Sequence, residues 1–417
     1  MLSQLLALFL VLRVFQQIVE STLSYLNMKF VENPANQTEA KAVLSLSDES
    51  IQKSLAYARD RFRFGQISAW VELTYTLLFI ALGGLSWVEN IASNLSAQPI
   101  LQGLIVFAII GGLSLLAGLP FSYYHTFVIE EKHGFNRQTA KGFWLDQVKA
   151  LLLGAILGGL VLALLLWIMQ RMGSSWWWVA WLSMFGFSLA TAWLYPVVLA
   201  PLFNKFSPLE EGDLKTEIFR LAQKIEFAAE GISIMDASTR SSHGNAYFTG
   251  VFGKKRIVLF DTLVKSMSLK EVVAVLAHEL GHFKLHHVRW GLVRSFFATG
   301  AMFFILSLCL PLTSFYTSFG LQGVSNYGAL IVFSMWFGLF GFLIQPFSSM
   351  ISRRHEFQAD AFALKSIDDQ RALGDALLKL RETSHSMPIT HPLYSAFYHS
   401  HPPLLERLKA MNYIGVR

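Results

Sequence analysis

His278, Glu279 and His282 stand in the order His-Glu-Leu-Gly-His. On a helix the two histidines fall one turn apart on the same face, so both imidazoles can reach a single Zn²⁺. Glu279 sits beside them, placed to take a proton from a water activated at that metal. The bland alternative is a solvated helix face that happens to carry two histidines and a glutamate. The apolar run 272–277, VVAVLA, argues against it. Such a run predicts a buried helix, where unpaired imidazoles are costly.

A catalytic zinc takes three protein ligands and keeps one position open. His286 continues the row of His278 and His282, but lies about 12 Å along the helix axis from His278, too far to share an ion. The longer zinc motif with a third histidine also fails, because Leu285 and Val288 occupy its Gly and His positions. A carboxylate from a second helix remains. The helix-like segment 352–364, SRRHEFQADAFAL, sets Glu356 and Asp360 one turn apart on one face. Glu356 can ligate while Asp360 holds a ligand histidine or a reaction proton. His355 competes as a ligand but projects about 100° away from Glu356. The carboxylate pair favours Glu356. His286 and His287 read as helix-end or membrane-interface residues without a ligand role.

These segments sit in a chain of 417 residues that is 53% hydrophobic and 15% charged. A soluble domain carries roughly 25% charge, and here the apolar residues are blocked rather than scattered. Seven blocks are long enough to cross a bilayer, which takes about 20 residues: 4–26, 67–89, 100–124, 147–170, 176–200, 290–312 and 327–350. The first lacks a basic leader and a small-residue cleavage site, and is expected to be retained. The stretches 201–289 and 351–417 are expected to pack together as one small domain. The chain therefore divides into 1–200, 201–289, 290–350 and 351–417.

Lys and Arg crowd the connections 27–66 and 125–146, whereas the opposite connections carry only Arg171. That bias puts the polar domain in the cytoplasm. Arg13 and Glu72 lie near mid-span, where charge usually faces a wet cavity. Gly154 and Gly158, with the pairs Gly83-Gly84 and Gly111-Gly112, suggest close helix packing. The net charge of +6 has no basic run interleaved with aromatics, so no nucleic-acid partner is expected, and the single cysteine excludes a disulfide framework. The run 255–260, KRIVLF, reads as a strand with NAYF, 245–248, as its hairpin partner. An exposed edge there could add a substrate strand. His401 could donate to a developing oxyanion, or simply start a helix at Pro402-Pro403. Asn245 could clamp a substrate carbonyl, or be a turn residue after Gly244.

Six segments in this order resemble the type I CAAX prenyl proteases: FVIEEKHGFNRQT (127–139), LYPVVLAPLFNKFSPL (194–209), SSHGNAYFTG (241–250), HELGH (278–282), RRHEFQADAFA (353–363) and HSHPPLLERL (399–408). The resemblance implies a mainly α, polytopic membrane fold: seven helices around a water-filled chamber, capped by a zincin-like α+β metalloprotease domain with a small sheet. It implies one Zn²⁺ held by His278, His282 and Glu356, with Glu279 as general base. Asp360, His401 and Arg407 match its other active-site positions, and Asn245, Ala246, Tyr247 and Phe248 its substrate-binding strand. The implied partners are a peptide or protein with a prenylated C-terminus and the surrounding lipid. The compact polar stretches and the tail MNYIGVR, without a dilysine signal, suggest a bacterial inner-membrane member, or the endoplasmic reticulum if the chain is eukaryotic. Two rivals are a general membrane quality-control zinc protease and a seven-helix transporter or receptor with a structural zinc. The latter would want four ligands, often cysteines, and would leave Glu279 without a task.

Overall fold

The structure is a computed structural model that describes residues 3–249 and 255–413. In chain order the helices are α1 (Gln4–Glu32), α2 (Pro34–Leu44), α3 (Asp48–Ala81), α4 (Gly84–Leu95), α5 (Pro99–Tyr124), α6 (Ala140–Arg171) and α7 (Trp176–Leu194). Then come β1 (Phe206–Pro208), α8 (Asp213–Lys224), β2 (Ala229–Met235), β3 (Ala246–Thr249), β4 (Lys255–Phe260), α9 (Asp261–Ser266) and α10 (Leu269–Lys284). The chain ends with α11 (His287–Cys309), α12 (Thr313–Thr317), α13 (Asn326–Ser366), α14 (Arg371–Ser384), α15 (Pro392–Tyr398) and α16 (Leu404–Ala410).

Seven helical segments are long and apolar enough to cross a membrane. They pack as a closed circuit. α1 touches α3; α3 leads through α4 to α5; α5, α6, α7, α11 and α13 follow as neighbours; and α13 returns to α1. A helix in a packed bundle buries one face, but in Pro99–Glu130 only 6% of the most apolar window is buried, and in Gly173–Leu202 none of it. These helices therefore meet their neighbours along narrow edges and leave most of their apolar surface uncovered. One end is plugged by Leu6 and Phe9 of α1, Val88 of α4, Leu166 of α6, Phe303 of α11 and the α12 segment with Tyr316 and Phe319. Glu89 is buried in that plug, accepting from the Tyr327 hydroxyl at 3.0 Å and the Gln322 amide at 2.8 Å.

Six expected spans fall on these helices, but the block 67–89 does not form one. Leu82 and Gly83 break it, with Gly83 in the left-handed region (φ +79°), and α3 instead begins at Asp48. Its first half is polar, so hydropathy marks where lipid begins and misses where the helix begins. The glycine expectation holds at Gly84, where a Cβ would run into the Phe79 ring, and is corrected at other positions. Gly154, Gly158, Gly111 and Gly112 have no neighbour within 4 Å of where a Cβ would stand. In a single-layer ring such positions face open space. The close approach occurs elsewhere, at Gly103 against Leu166 and at Gly300 against Trp181. Among the described residues nothing pairs with the buried Nη1 of Arg13, and Glu72 lines a cavity of about 930 Å³.

The other end of the ring carries the cap. Its sheet has the order β1-β2-β4-β3, with β2 and β4 parallel and both outer pairs antiparallel. Ile257 and Leu259 of β4 point into a core shared with α8, α10, α13 and α14. α10 lies at its centre, with every residue from Glu271 to His278 buried. A capping box starts it: the Ser268 amide donates to Glu271 Oε2 at 2.6 Å, and the Glu271 amide donates back to Ser268 Oγ at 3.4 Å.

Candidate active site

Two helices build the site. α10 supplies His278, Glu279 and His282. α13 is 41 residues long, about 60 Å at 1.5 Å per residue, and runs unbroken across residue 350 to supply Glu356 and Asp360. One helix thus carries both a membrane crossing and a site carboxylate. His278 Nε2 lies 3.4 Å from Glu356 Oε2, His282 Nε2 3.3 Å from Glu356 Oε1, and the two imidazole nitrogens 3.3 Å from each other. Three lone-pair donors converge on one point.

His278, Glu356 and Asp360 are buried, and Arg407 from α16 closes over them. Its guanidinium grips Asp360 with two hydrogen bonds, Nη2 to Oδ1 at 2.6 Å and Nε to Oδ2 at 2.9 Å. Asp360 Oδ1 also lies 2.8 Å from His278 Nδ1. Arg407 Nη2 is 3.4 Å from the same nitrogen, but a guanidinium can only donate. The shorter contact assigns the proton to Nδ1, which leaves the Nε2 lone pair facing His282 and Glu356. His401 sits at the rim, largely exposed, with Nδ1 2.6 Å from Glu356 Oε2.

The donor set fits a cation. Glu356 Oε2 is buried and, among the described residues, accepts no well-formed hydrogen bond, although His401 Nδ1 stands 2.6 Å away. Such an orphaned carboxylate oxygen is costly unless a cation meets it. The carboxylates of Asp360 and Glu356 share the guanidinium of Arg407, at 2.6 and 3.8 Å. Burial disfavours a charged His278, yet the Asp360 and Glu356 carboxylates beside it outweigh that and hold its pKa up at about 9. The pocket favours positive charge between its ligands, and two imidazoles with one carboxylate suit a metal ion. Burial also raises the pKa of Glu279.

The strand segment lies against the same helix. β3 packs on α10 and pairs antiparallel with β4, Ala246 opposite Leu259 and Phe248 opposite Ile257. Among the described residues its outer edge is unpaired. Asn245 is exposed at the end of this ladder, away from the hairpin connection; its carbonyl accepts from the Phe260 amide at 3.0 Å and its Oδ1 from the Ala246 amide at 2.8 Å. Leading into it, residues 240–243 are held by the α5–α6 connection. The Arg137 amide donates to the Arg240 carbonyl at 3.1 Å, Phe135 stacks on His243, and Arg240 Nε donates to Asp146 at 3.0 Å. Glu130, in a π-helical turn that extends α5, accepts from the Tyr57 hydroxyl at 2.6 Å. The motif 127–139 thus seats the approach to β3, a non-local role that its residue types alone did not announce.

His286 is exposed and caps the α10–α11 turn in the left-handed region, φ 60°. His287 is the helix-end residue expected, first in α11, but it is buried, 3.0 Å from the second nitrogen of His282. His355 faces away from the ligands, stacked on His287.

Comparison with known proteins gives the same picture along the chain. A family model described as CAAX prenyl protease N-terminal, five membrane helices, matches residues 27–205, and one described as peptidase family M48 matches 208–414. CAAX prenyl protease 1 of Saccharomyces cerevisiae is 36% identical over 408 residues, covering 91% of this chain and 90% of its own. The CAAX prenyl protease 1 homologues of Arabidopsis thaliana and Homo sapiens are 38% and 34% identical, covering 88% of this chain and 88% and 86% of their own. The crystal structure of S. mikatae Ste24p superposes with a TM-score of 0.91 at 34% identity, covering 98% of this chain and 99% of that one.

Proposed function

The chain belongs to peptidase family M48, and on that premise we propose that it is a membrane zinc endopeptidase that removes the C-terminal tripeptide of prenylated CAAX proteins. The observation that carries the reading is the convergence of His278, His282 and Glu356, with the half-buried Glu279 next to His278 on the same helix. A zinc ion held there would polarise the scissile carbonyl and acidify an attacking water. Glu279 takes the proton of that water and returns it to the leaving amine. Its burial raises the carboxyl pKa toward working pH, where a general base is most effective.

Asp360, itself held by Arg407, keeps His278 in the tautomer that presents Nε2 inward. His401, at the rim, donates to the developing oxyanion, a contact worth about 3 kcal/mol in such sites. The outer edge of β3 pairs with an extended substrate, Ala246, Tyr247 and Phe248 supplying backbone and Asn245 a side-chain amide. The cap faces the cytoplasm, as the Lys/Arg bias requires, at a bacterial inner membrane or at the endoplasmic reticulum of a eukaryote. A peptidase assay on a farnesylated CAAX peptide and its unprenylated twin tests the substrate. Release of the tripeptide chiefly from the farnesylated peptide is expected. Equal cleavage of both would favour a general quality-control protease.

A further inference from the structure

His287 is buried at the first position of α11, where the left-handed turn at His286 folds it back under the metal helix. Its Nδ1 stands 3.0 Å from Nδ1 of His282, and its Nε2 stands 3.1 Å from Oε1 of Gln358. Its ring lies flat on that of His355, centroids 4.0 Å apart and planes within 6°. α13 therefore presents two stripes. Glu356 and Asp360, one turn apart, face the ligand nitrogens; His355 and Gln358, three apart, grip His287 on the adjacent side.

From this arrangement we propose that His287 is a positioning residue that fixes the tautomer and ring orientation of His282. The hydrogen-bond chain permits one consistent direction. Gln358 Oε1 only accepts, so His287 carries its proton on Nε2. His287 Nδ1 is then an acceptor, and His282 donates to it from Nδ1. That leaves the His282 Nε2 lone pair facing Glu356 Oε1 and His278 Nε2. Asp360 does the same for His278 from the opposite side of the site. A ligand histidine whose other nitrogen is anchored binds metal more tightly, because its ring is aimed beforehand and its N–H is not left buried without an acceptor. The stacked His355 ring removes the remaining freedom of His287, since neither ring can rotate without losing the other.

The proposal rests on His282 being a metal ligand, and the test separates the two ideas. Purified metal-free full-length protein is titrated with zinc against a competing chelator, with the melting temperature of each metal-free form recorded. His287→Leu fills the space but offers no acceptor, and should weaken zinc binding tenfold to a hundredfold. His287→Asn places Oδ1 where Nδ1 stood and should stay within about threefold of the parent, as an acceptor role requires. Zinc affinity in His287→Leu equal to the parent, while His282→Ala loses zinc, would overturn the positioning role. Equal weakening in both His287 variants would also overturn it, since packing alone would then explain the site. Parental zinc affinity in His282→Ala would overturn the ligand assignment and the proposal with it.

Discussion

Gly281 and Ala359 meet backbone to backbone. A Cβ on Gly281 would stand 3.3 Å from both the Cα and the carbonyl oxygen of Ala359, and 3.1 Å from Phe362. This contact lies between His278 and His282 on one helix and between Glu356 and Asp360 on the other, so it sets the spacing across which these side chains converge. The glycine of the His-Glu-Leu-Gly-His segment thus has a geometric task.

Enlarging Gly281 should therefore loosen the metal before it loosens the fold. Gly281→Ala gains about 1 kcal/mol of helix propensity but must push α13 back by a few tenths of an ångström. We expect an unchanged melting temperature and zinc affinity about tenfold weaker. Gly281→Leu should lose stoichiometric metal on dialysis, measured by mass spectrometry. Full zinc retention by the leucine variant would show that the contact does not set the ligand spacing.

Glu279→Gln removes only the proposed proton carrier. Turnover should fall at least a hundredfold, the usual worth of general acid–base catalysis, with zinc still bound because the three ligands are untouched. Near-normal turnover at full zinc occupancy would remove Glu279 from its role.

Asp360→Asn tests the buried pair. Arg407 and Asp360 are both buried and share two hydrogen bonds. With a neutral amide opposite, the guanidinium loses its bidentate partner and keeps only Glu356 at 3.8 Å, at a cost of about 3–5 kcal/mol. The melting temperature and the zinc affinity should therefore fall together. Loss of zinc at an unchanged melting temperature would instead confine Asp360 to orienting His278.

Much of the site was legible because its information is local. A four-residue interval on a helix determines a face, so His278 with His282 and Glu356 with Asp360 could be paired before any coordinates. The pairing of NAYF with KRIVLF was legible for the same reason, from adjacent runs of strand-forming residues. Contacts made across the chain were not. His287 reaches His282 only because His286 turns left-handed, and nothing in the run of histidines marks that turn. The seat of residues 240–243 on the α5–α6 connection joins segments some hundred positions apart. Hydropathy likewise located lipid rather than helix ends. It missed the polar first half of α3 and the passage of α13 from membrane into cap.

Seven crossings place the two ends of the ring on opposite sides of the bilayer. In a Cys309→Ser background, single cysteines at the exposed positions Glu39 and Lys409 should react with a membrane-impermeant thiol reagent only from the cytoplasmic side. Cysteines at the exposed positions Leu95 and Val324 should react only from the other. Glu39 and Lys409 already meet in an ion pair at 2.5 Å, which requires them to share a side. Reaction of Glu39→Cys and Leu95→Cys from the same side would contradict the seven-crossing arrangement.

Asn245 separates a substrate contact from a purely structural residue. Its carbonyl is committed to the Phe260 amide and its Oδ1 to the Ala246 amide, while the side chain remains exposed beside the unpaired edge of β3. The hairpin connection lies at the other end of β3, so a turn at Asn245 is not what joins the two strands. If the Nδ2 group donates to a substrate carbonyl, Asn245→Ala leaves that carbonyl unpaired in the bound complex, at a cost of about 1–3 kcal/mol. We therefore expect kcat/KM to fall between about fivefold and a hundredfold, at unchanged zinc content. The lost Oδ1 contact to Ala246 should lower the melting temperature only slightly, since the β3–β4 ladder remains. A residue that merely shapes the strand would show the reverse: a clear loss of stability with kcat/KM of the folded enzyme unchanged. That second pattern would take Asn245 out of the substrate site and leave recognition to the β3 backbone alone.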